Sequence, residues 1–374
     1  MDLKELRKEI DDIDCTIVQL FEKRMDVSHR IADFKISTGK KVFDRTRELE
    51  KIAQVQSQTH SSFNRLGIAE LFAQIMTISR KLQYQLLTEK GMMGRVPFVP
   101  VESLDTGKAR VVFQGAEGSY SQAAMKQYFG PAVDSFHVDT FREAMEALEE
   151  GRCDFAILPI ENSTSGSINE VYDLLVEYEH YIVGQQIIRI EQCLLALPGT
   201  RKEDIRTVYS HPQSLLQSAA YLKQYTWKQV SMRNNAFAAK KVADDGYRTQ
   251  AAIAGAYAGQ VYGLEVLEKG INQEENNSTR FIIISNQKIF QRSAQKITIC
   301  LELPHESGAL YHILSHFIFN SLNMTRIESR PIEGKNWEYR FFIDFEGNLN
   351  QSAVISALRG LREEARNVKI LGNY

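Results

Sequence analysis

An apolar stripe near the start of the chain constrains the fold more than any other sequence feature. From residue 3 to residue 34, apolar side chains recur alternately three and four positions apart, the spacing of a helix that buries one face. The stripe consists of Leu3, Leu6, Ile10, Ile13, Ile17, Leu20, Val27, Ile31 and Phe34. A helix over residues 3–37 would be about 50 Å long. Three helices within residues 1–90 cannot cover such a stripe, so the sequence predicts an intertwined homodimer.

Arg24 occupies the one position of this stripe that is not apolar. A guanidinium keeps its proton, so its burial is very costly unless an anion meets it. An arginine in such a stripe often extends to the rim or fixes the register against a carboxylate. Lys35, however, lies about 20° around and about 16 Å along the same helix face. Two aligned cations on an apolar seam favour a binding site for a small acidic molecule.

Composition excludes several classes of protein. The 374 residues suffice for two or three domains of about 100–200 residues each. A hydrophobic content of 43%, a charged content of 25% and a net charge of -2 favour a globular enzyme or binding protein and give no support for nucleic acid or membrane as a partner. The N-terminal sequence does not resemble a secretory signal. The cysteines are Cys15, Cys153, Cys193 and Cys300. Their spacing does not fit a metal site, and it predicts reduced thiols in a cytoplasmic protein without a bound metal.

Periodicity divides the chain into three regions, and the fold class is multidomain, α + α/β + α+β. Residues 1–90 are helical, and residues 91–108 are a glycine- and proline-containing linker. Residues 109–286 alternate strands with helices, which predicts an α/β domain with parallel strands. Residues 295–374 have the order β-α-β-β-α-β of a ferredoxin-like domain, with a period-two strand that begins at Trp337.

The second and third helices carry further polar residues. The second helix begins near Asp44 and places Asp44, Arg47 and Glu48 on one face. By themselves these residues fit a solvated face with ion pairs, and Asp44 fits an N-cap. The third helix is expected to bury Ile68, Leu71, Ile75, Ile78 and Leu82, with Ser79 and Gln83 one turn apart beside that stripe.

The whole polar set resembles that of the all-helical chorismate mutases. It comprises Arg7, Arg24, Lys35, Asp44, Arg47, Glu48, Ser79 and Gln83. The resemblance implies a cofactor-free rearrangement of chorismate to prephenate, catalysed by positioning and electrostatics. It implies that Arg24 and Arg47 hold carboxylates and that Arg7 reaches across from the partner subunit. It also implies that Lys35 and Gln83 stabilise the ether oxygen, while Glu48 and Asp44 bind the hydroxyl side.

Four polar loops at strand ends in the central region predict one ligand cleft. They are residues 114–124, where Ser119 and Ser121 are expected to cap a helix, and residues 159–168, 210–217 and 276–285. Taken in this order, the loops resemble prephenate dehydratase, most specifically in Thr279-Arg280-Phe281. The family has two lobes like a periplasmic binding protein. The implied site residues are Ser119, Ser121, Glu161, Asn162, Ser163, Thr164, Ser210, Gln213, Gln217, Thr279, Arg280 and Phe281.

Thr279 is implied to be the catalytic hydroxyl, which protonates the departing C4 hydroxyl of prephenate as carbon dioxide leaves. Such a weak acid needs a hydrogen-bonded, dry setting. Gln192 occupies a position at which the family usually has histidine. Arg233 lies in a segment in which the family usually has a serine or a threonine. These departures leave open whether prephenate or arogenate is the preferred substrate.

The C-terminal region resembles the ACT regulatory domain. The resemblance implies that phenylalanine binds at a dimer interface between Gly308-Ala309-Leu310 and Glu328-Ser329-Arg330-Pro331. The leading hypothesis is therefore a bifunctional enzyme of phenylalanine biosynthesis with feedback inhibition. The alternatives are a mutase fused to an arogenate-preferring dehydratase and a non-catalytic phenylalanine-sensing protein. A nicotinamide-dependent dehydrogenase lacks support, because no G-x-G-x-x-G follows a strand.

Overall fold

The computed structural model describes residues 2–92, 96–274 and 276–374. They form two compact units, one of residues 1–97 with 295–370 and the other of residues 98–294 with 371–374. Residues 93–95 of the predicted linker lie outside the described residues.

The first unit begins with three helices, α1 (Leu3–Thr38), α2 (Arg45–Ser57) and α3 (Ser62–Glu89). The long first helix is confirmed. Its start is fixed by Asp2, whose side chain accepts a hydrogen bond from the backbone of Lys4 while Glu5 bonds back to the backbone of Asp2. Its end is at Gly39, which adopts the left-handed conformation with φ 68°.

The apolar stripe of α1 is exposed in the single chain. Its members keep between 36% and 62% of their side-chain surface accessible. An apolar helix face of this length is unusual on a monomer and marks an interaction surface. In the part of the chain that the structure describes, no helix is both long and apolar enough to cross a membrane.

Residues 98–294 alternate strands and helices. The strands are β1 (Val99–Val101), β2 (Arg110–Gln114), β3 (Asp134–Val138), β4 (Phe155–Asn162), β5 (Gly166–Ser167), β6 (Tyr181–Arg189), β7 (Cys193–Ala196), β8 (Thr207–Ser210), β9 (Lys228–Ser231), β10 (Gln250–Ala254), β11 (Glu265–Glu268), β12 (Ser278–Ser285) and β13 (Ile289–Gln291). The helices are α4 (Tyr120–Phe129), α5 (Phe141–Glu149), α6 (Asn169–Glu177), α7 (Pro212–Gln217), α8 (Ala219–Leu222), α9 (Asn235–Asp245) and α10 (Ala256–Tyr262).

These strands build two sheets, one in the order β6-β12-β4-β2-β3 and the other in the order β11-β7-β10-β8-β9. The prediction of parallel strands is only partly right. β2 is parallel to β3 and β4, and β8 is parallel to β9 and β10, but β12 and β7 are antiparallel to their neighbours. The chain passes from the first sheet to the second after β6 and returns before β12. The strands at these two crossings, β7 and β12, therefore run opposite to the strands beside them. The predicted linker also contains β1, which pairs with β13.

The C-terminal part of the chain contains the six predicted elements in the predicted order. They are β14 (Lys296–Glu302), α11 (Ala309–Phe319), β15 (Met324–Pro331), β16 (Tyr339–Glu346), α12 (Ser352–Glu364) and β17 (Asn367–Asn373). The strands lie in the order β15-β16-β14-β17. The prediction that Trp337 begins a strand is wrong, because this residue lies in a turn with φ 62° and is 78% exposed. β16 is an interior strand, so residues 342–345 are buried on both faces rather than alternately.

Within the first unit, α3 packs its C-terminal half on the C-terminal elements. Tyr84 is fully buried and donates a 3.0 Å hydrogen bond to Glu363. The expected burial of the Ile68–Leu82 stripe is wrong for the single chain, since Leu71 is 49% exposed and the other four members are only partly buried. The buried face of α3 packs against α1 and α2 as well as against α11 and α12.

Lys81 lies on this buried face and predicts a measurable pH dependence. Its side chain is nearly buried and donates a 2.9 Å hydrogen bond to the carbonyl of Ser315. Burial lowers its pKa to about 8. Between pH 8 and 10.5 the unfolded chain keeps the proton that the folded chain loses, so the unfolding free energy rises with pH, by on the order of 3 kcal/mol. The melting temperature of the wild type should therefore rise relative to that of Lys81→Met between pH 7 and pH 10. The exposed Lys40→Met is the control, and an equal pH dependence in both variants would contradict the assignment.

Candidate active sites

The first candidate site lies between α1 and α3. Arg24 donates a hydrogen bond to the Ser79 hydroxyl and approaches the Ile75 carbonyl at 3.4 Å. Gln83, one turn after Ser79, donates to the Ser79 carbonyl at 3.2 Å, and its own Oε1 is buried without a hydrogen-bond partner among the described residues. Arg24 thus turns towards α3 and binds it one helical turn before Gln83.

Lys35 and Arg24 are both partly desolvated cations. Burial lowers the pKa of Arg24, and the charge of Glu48 opposes that effect. Burial also lowers the pKa of Lys35, against the charges of Glu363, Asp44 and Glu48. The Lys35 ammonium donates to the carbonyl of Val42 at 2.7 Å. Charged groups that are partly stripped of water attract an anion more strongly than charged groups in bulk solvent.

Glu48 forms an ion pair with Arg80, a residue that the sequence reasoning missed. Arg80 lies next to Ser79 on α3, and its side chain is only 6% exposed. Its guanidinium donates to both carboxylate oxygens of Glu48. The available signal was an arginine within the apolar, C-terminal half of α3.

The remaining predicted residues of this set are Asp44, whose charge acts on Lys35, and Arg47 and Arg7, which are both exposed. Asp44 is the N-cap of α2 and accepts a 3.0 Å hydrogen bond from the backbone of Arg47. The Arg47 side chain is exposed, 3.9 Å from Glu50. Arg7 is exposed on the first turns of α1. The structure therefore brings together Arg24, Lys35, Glu48, Ser79 and Gln83, but not Arg7 or Arg47.

The second candidate site is a cavity of about 270 Å³ between the two sheets of the second unit. The predicted residues that line it are Ser119, Ser121, Asn162, Gln213, Gln217, Thr279 and Phe281. The structure places outside its lining Glu161, Ser163, Thr164, Ser210 and Arg280. Polar lining residues that the sequence reasoning did not assign to the site include Gln114, Tyr120, Ser165, Gln192, His211, Ser214, Asn234 and Asn235.

Strand register explains which residues of the Thr279 segment face the cavity. Thr279 pairs with Asn162, and Arg280 pairs with Glu161. Successive side chains of a strand point to opposite faces. Arg280 consequently turns away from the cavity and forms a 2.9 Å ion pair with Glu161. Both side chains support the strand pair that holds Thr279.

Thr279 and Asn162 are joined by a hydrogen bond inside the cavity. The Asn162 amide nitrogen donates to the Thr279 hydroxyl oxygen at 2.9 Å. The Asn162 amide oxygen accepts bonds from the backbone of Thr164 at 3.0 Å and of Ser165 at 2.9 Å, which fixes the orientation of the amide. Because the Thr279 oxygen is already an acceptor, its own proton is available to a ligand. Ser163 and Thr164 thus shape the loop around Asn162.

The lining is rich in donors and poor in charge. Among the described lining residues, none is lysine or arginine. The helix N-termini of α4, capped by Ser119, and of α9, capped by Asn234, open towards the cavity. Ser121 lies within the first turn of α4 and is not the cap. Helix N-termini attract anions, so this neutral cavity suits a carboxylate ligand.

His211 adds an imidazole N–H donor to the cavity. Its Nδ1 accepts a 3.2 Å hydrogen bond from the backbone of Gln213, so a neutral ring carries its proton on Nε2. Burial lowers the pKa of His211, which favours that neutral form.

Gln192 and Arg233, the two departures noted in the sequence, have different positions. Gln192 is 1% exposed, and it donates to Ser214 at 3.1 Å. Its Oε1 has no hydrogen-bond partner in the described part of the chain. Arg233 does not line the cavity and forms a 3.0 Å ion pair with Asp139. Gln192 is therefore the departure that can affect ligand choice directly.

The two predicted phenylalanine-binding segments do not line one cavity in the single chain. Gly308 has φ 81° and precedes α11, while Ala309 and Leu310 line a cavity of about 150 Å³ with Trp337. Residues 328–331 lie on the edge strand β15 and do not line that cavity. The described residues contain no cluster of metal-binding side chains.

Two protein families match the chain. The chorismate mutase type II family matches residues 6–84, and the prephenate dehydratase family matches residues 111–289. A bifunctional chorismate mutase/prephenate dehydratase from Buchnera aphidicola subsp. Schizaphis graminum is 34% identical over 383 residues, which cover 100% of this chain and 96% of that protein. Arogenate dehydratase 3, chloroplastic, from Arabidopsis thaliana is 36% identical over 71% of this chain and 66% of that protein.

A solved structure agrees with these matches. It is a prephenate dehydratase in complex with L-Phe from Arthrobacter aurescens, with a TM-score of 0.66 and 30% identity over 71% of this chain and 89% of that chain. Partly buried cations on a helical bundle and a donor-lined cleft between two sheets define an enzyme class that acts on small carboxylic acids. The chain belongs to the bifunctional chorismate mutase/prephenate dehydratase family.

Proposed function

We propose that the chain converts chorismate to prephenate at the Arg24 site and prephenate to phenylpyruvate at the Thr279 site, without a metal or an organic cofactor. Family membership supports both activities. The hydrogen bond from Asn162 to Thr279 in a cavity without lysine or arginine among its described lining residues carries the second assignment.

The mutase step needs placement and charge rather than proton transfer. In chorismate one carbon–oxygen bond breaks as one carbon–carbon bond forms, and negative charge develops on the ether oxygen. Lys35 and the Gln83 amide supply a cation and a donor for that oxygen, and Arg24 holds a carboxylate. Glu48 accepts a hydrogen bond from the substrate hydroxyl. Such preorganised groups stabilise the transition state without rearranging. Arg7 and Arg47, which are exposed here, complete the site in the proposed dimer.

Arg24→Leu tests the proposed role of the arginine. Its partners on α3 are a hydroxyl and a carbonyl, with no carboxylate in contact, and burial disfavours its charge. Leucine restores the apolar stripe, so the melting temperature should rise by about 2–4 °C, while mutase kcat/KM falls at least ~100-fold. Differential scanning calorimetry and chorismate consumption measure the two effects. A variant that is active, or clearly less stable, would contradict this role.

The dehydratase step couples the loss of a carboxylate to the loss of a hydroxyl. The Thr279 hydroxyl donates its proton to the C4 hydroxyl of prephenate, which leaves as water. The electrons of the ring carboxylate's carbon–carbon bond enter the ring as carbon dioxide leaves, and the ring becomes aromatic. Because no fixed cation of the site stabilises the ring carboxylate, its loss as carbon dioxide is not opposed. The N-termini of α4 and α9 bind the other carboxylate, which stays on the product. Solvent supplies the one proton that the reaction consumes, and this proton restores the Thr279 hydroxyl.

A coupled assay tests the whole proposal. Purified protein supplied with chorismate should accumulate prephenate and then phenylpyruvate. Phenylpyruvate is measured by its absorbance in alkali, and prephenate as the additional phenylpyruvate that appears after acid treatment. Binding of phenylalanine without turnover of either substrate would instead support the non-catalytic sensor.

Arogenate is the second candidate for the Thr279 site, favoured by Gln192. Arogenate carries an ammonium group where prephenate has a keto group. The buried, unpartnered Oε1 of Gln192 is an acceptor that an ammonium satisfies. The ratio of kcat/KM on arogenate and prephenate, measured for the wild type and for Gln192→His, decides between the two substrates.

Dimerisation and regulation complete the proposal. A second copy of the chain covers the exposed stripe of α1, because only an equally long apolar helix matches it in length. The strand order β15-β16-β14-β17 with two helices supports an ACT-type ferredoxin-like fold for the C-terminal part. Phenylalanine would bind where Gly308–Leu310 of one copy meets residues 328–331 of the other. Arg45 of α2 pairs with Glu306, so this turn contacts the helices directly.

A further inference from the structure

Arg80 connects the first candidate site to the C-terminal elements of the same unit. On one side its guanidinium holds both carboxylate oxygens of Glu48. On the other side its Nε donates to Glu364 of α12 at 2.9 Å. Glu364 in turn lies 3.1 Å from Nε2 of His316 on α11. A continuous chain of ionisable side chains therefore runs from Glu48 to α11.

The third nitrogen and one face of the Arg80 guanidinium also contact side chains. Its Nη2 donates to the Thr77 hydroxyl at 3.0 Å, and the ring of Phe43 stacks on the guanidinium at 4.9 Å. The side chains of Arg80, Glu364 and His316 are 6%, 7% and 1% exposed. With its Nε, Nη1 and Nη2 each bound to a different side chain, the buried guanidinium has a fixed orientation, and it fixes the Glu48 carboxylate that Nη1 holds.

The electrostatic balance of this cluster depends on Glu364. Burial opposes the ionised form of Glu364, but the neighbouring His316 and Arg80 side chains outweigh this effect and lower the pKa of Glu364. Glu48 alone cannot satisfy a buried guanidinium and also offer its oxygens to a substrate. With Glu364 in place, Arg80 divides its donors between two carboxylates.

We propose that Arg80 is a positioning residue for Glu48 in the mutase reaction and that Glu364 of the C-terminal part holds it in that role. This inference rests on the proposed mutase function. The C-terminal part is then a working component of the mutase site, although its strands and helices contain no substrate-binding residue of that site. Truncated to its helical residues alone, the chain would lack the carboxylate that sets Arg80.

Glu364→Gln in the full-length protein tests the proposal, since glutamine keeps the shape and removes the charge. Mutase kcat/KM should fall about tenfold because the carboxylate of Glu48 is misplaced. This loss corresponds to about 1.4 kcal/mol of transition-state stabilisation. Dehydratase kcat/KM in the same preparation should stay within twofold, because Glu364 lies in the other unit. Glu302→Gln is the matched control, since Glu302 is similarly shielded and pairs with Arg340 at 3.1 Å within the C-terminal sheet.

A Glu48→Gln background separates positioning from general destabilisation. If Glu364 acts through Arg80 on Glu48, then adding Glu364→Gln to Glu48→Gln should change mutase kcat/KM less than twofold. Arg80→Lys should reproduce the single loss, because a lysine keeps the charge but cannot bind Glu48, Glu364 and Thr77 through three fixed nitrogens. The proposal is overturned by a wild-type mutase rate in Glu364→Gln, by an equal loss in Glu302→Gln, or by a full tenfold loss in the Glu48→Gln background. If the wild-type protein has no mutase activity, the proposed function is refuted instead. The chorismate assay of the wild type, which is run before the variants, shows this.

Discussion

Thr279→Val is expected to lower kcat for phenylpyruvate formation from prephenate at least ~100-fold, the usual contribution of a positioned general acid. Valine has nearly the same shape as threonine, so the strand and the cavity should persist. What it removes is the only part of the residue that the mechanism uses, a hydroxyl whose oxygen accepts from Asn162 at 2.9 Å. Steady-state assay of prephenate consumption measures the change, and chorismate consumption by the same preparation should be unaffected.

Two companion variants make this prediction specific. Thr279→Ser keeps the hydroxyl and should recover a substantial part of the activity. Thr207→Val removes a threonine hydroxyl from β8, a strand of the same unit, at a position outside the cavity lining, and should leave the rate unchanged. If Thr279→Val retains dehydratase activity, or loses mutase activity in parallel, Thr279 is not the acid.

The helical region shows how far periodicity alone can be trusted. The three-and-four spacing located α1 from Leu3 to within one residue of its end, since local spacing and the cap at Gly39 determine a helix. The same reasoning chose the wrong buried face for α3. That face depends on α11 and α12, which lie more than 200 residues further along the chain, and no local pattern contains their position.

In the dehydratase cavity, motif reasoning identified Thr279 but treated its neighbours alike. The resemblance implies Arg280, next to Thr279, and Glu161, next to Asn162, as site residues, whereas strand pairing places their side chains on the opposite face. Period-two alternation along a strand separates such neighbours, but it applies only once the strand is known to include Thr279. His211 and Asn234 line the cavity because the helices that they cap begin there. The sequence indicates these two positions only as polar residues at strand ends.

Lys35→Ala is expected to lower mutase kcat at least ~100-fold by removing a cation at the breaking bond. The Lys35 ammonium has the carbonyl of Val42 as its 2.7 Å partner and is surrounded by the charges of Glu48, Asp44 and Glu363. Burial lowers its pKa, which shows that the charge is kept at a cost to stability and is not a solvated surface charge. Chorismate consumption measures the loss.

Lys23→Ala provides the control, since Lys23 is an exposed lysine on the same helix and its replacement should leave both rates unchanged. Dehydratase activity should survive Lys35→Ala, because the Thr279 cavity belongs to the other compact unit. The two losses would then be complementary: Thr279→Val stops the pathway at prephenate and Lys35→Ala stops it at chorismate. An equimolar mixture of the two variants should restore phenylpyruvate formation from chorismate, because free prephenate passes between molecules. Retained mutase activity in Lys35→Ala would remove Lys35 from the site and leave Arg24 as the cation that meets the substrate.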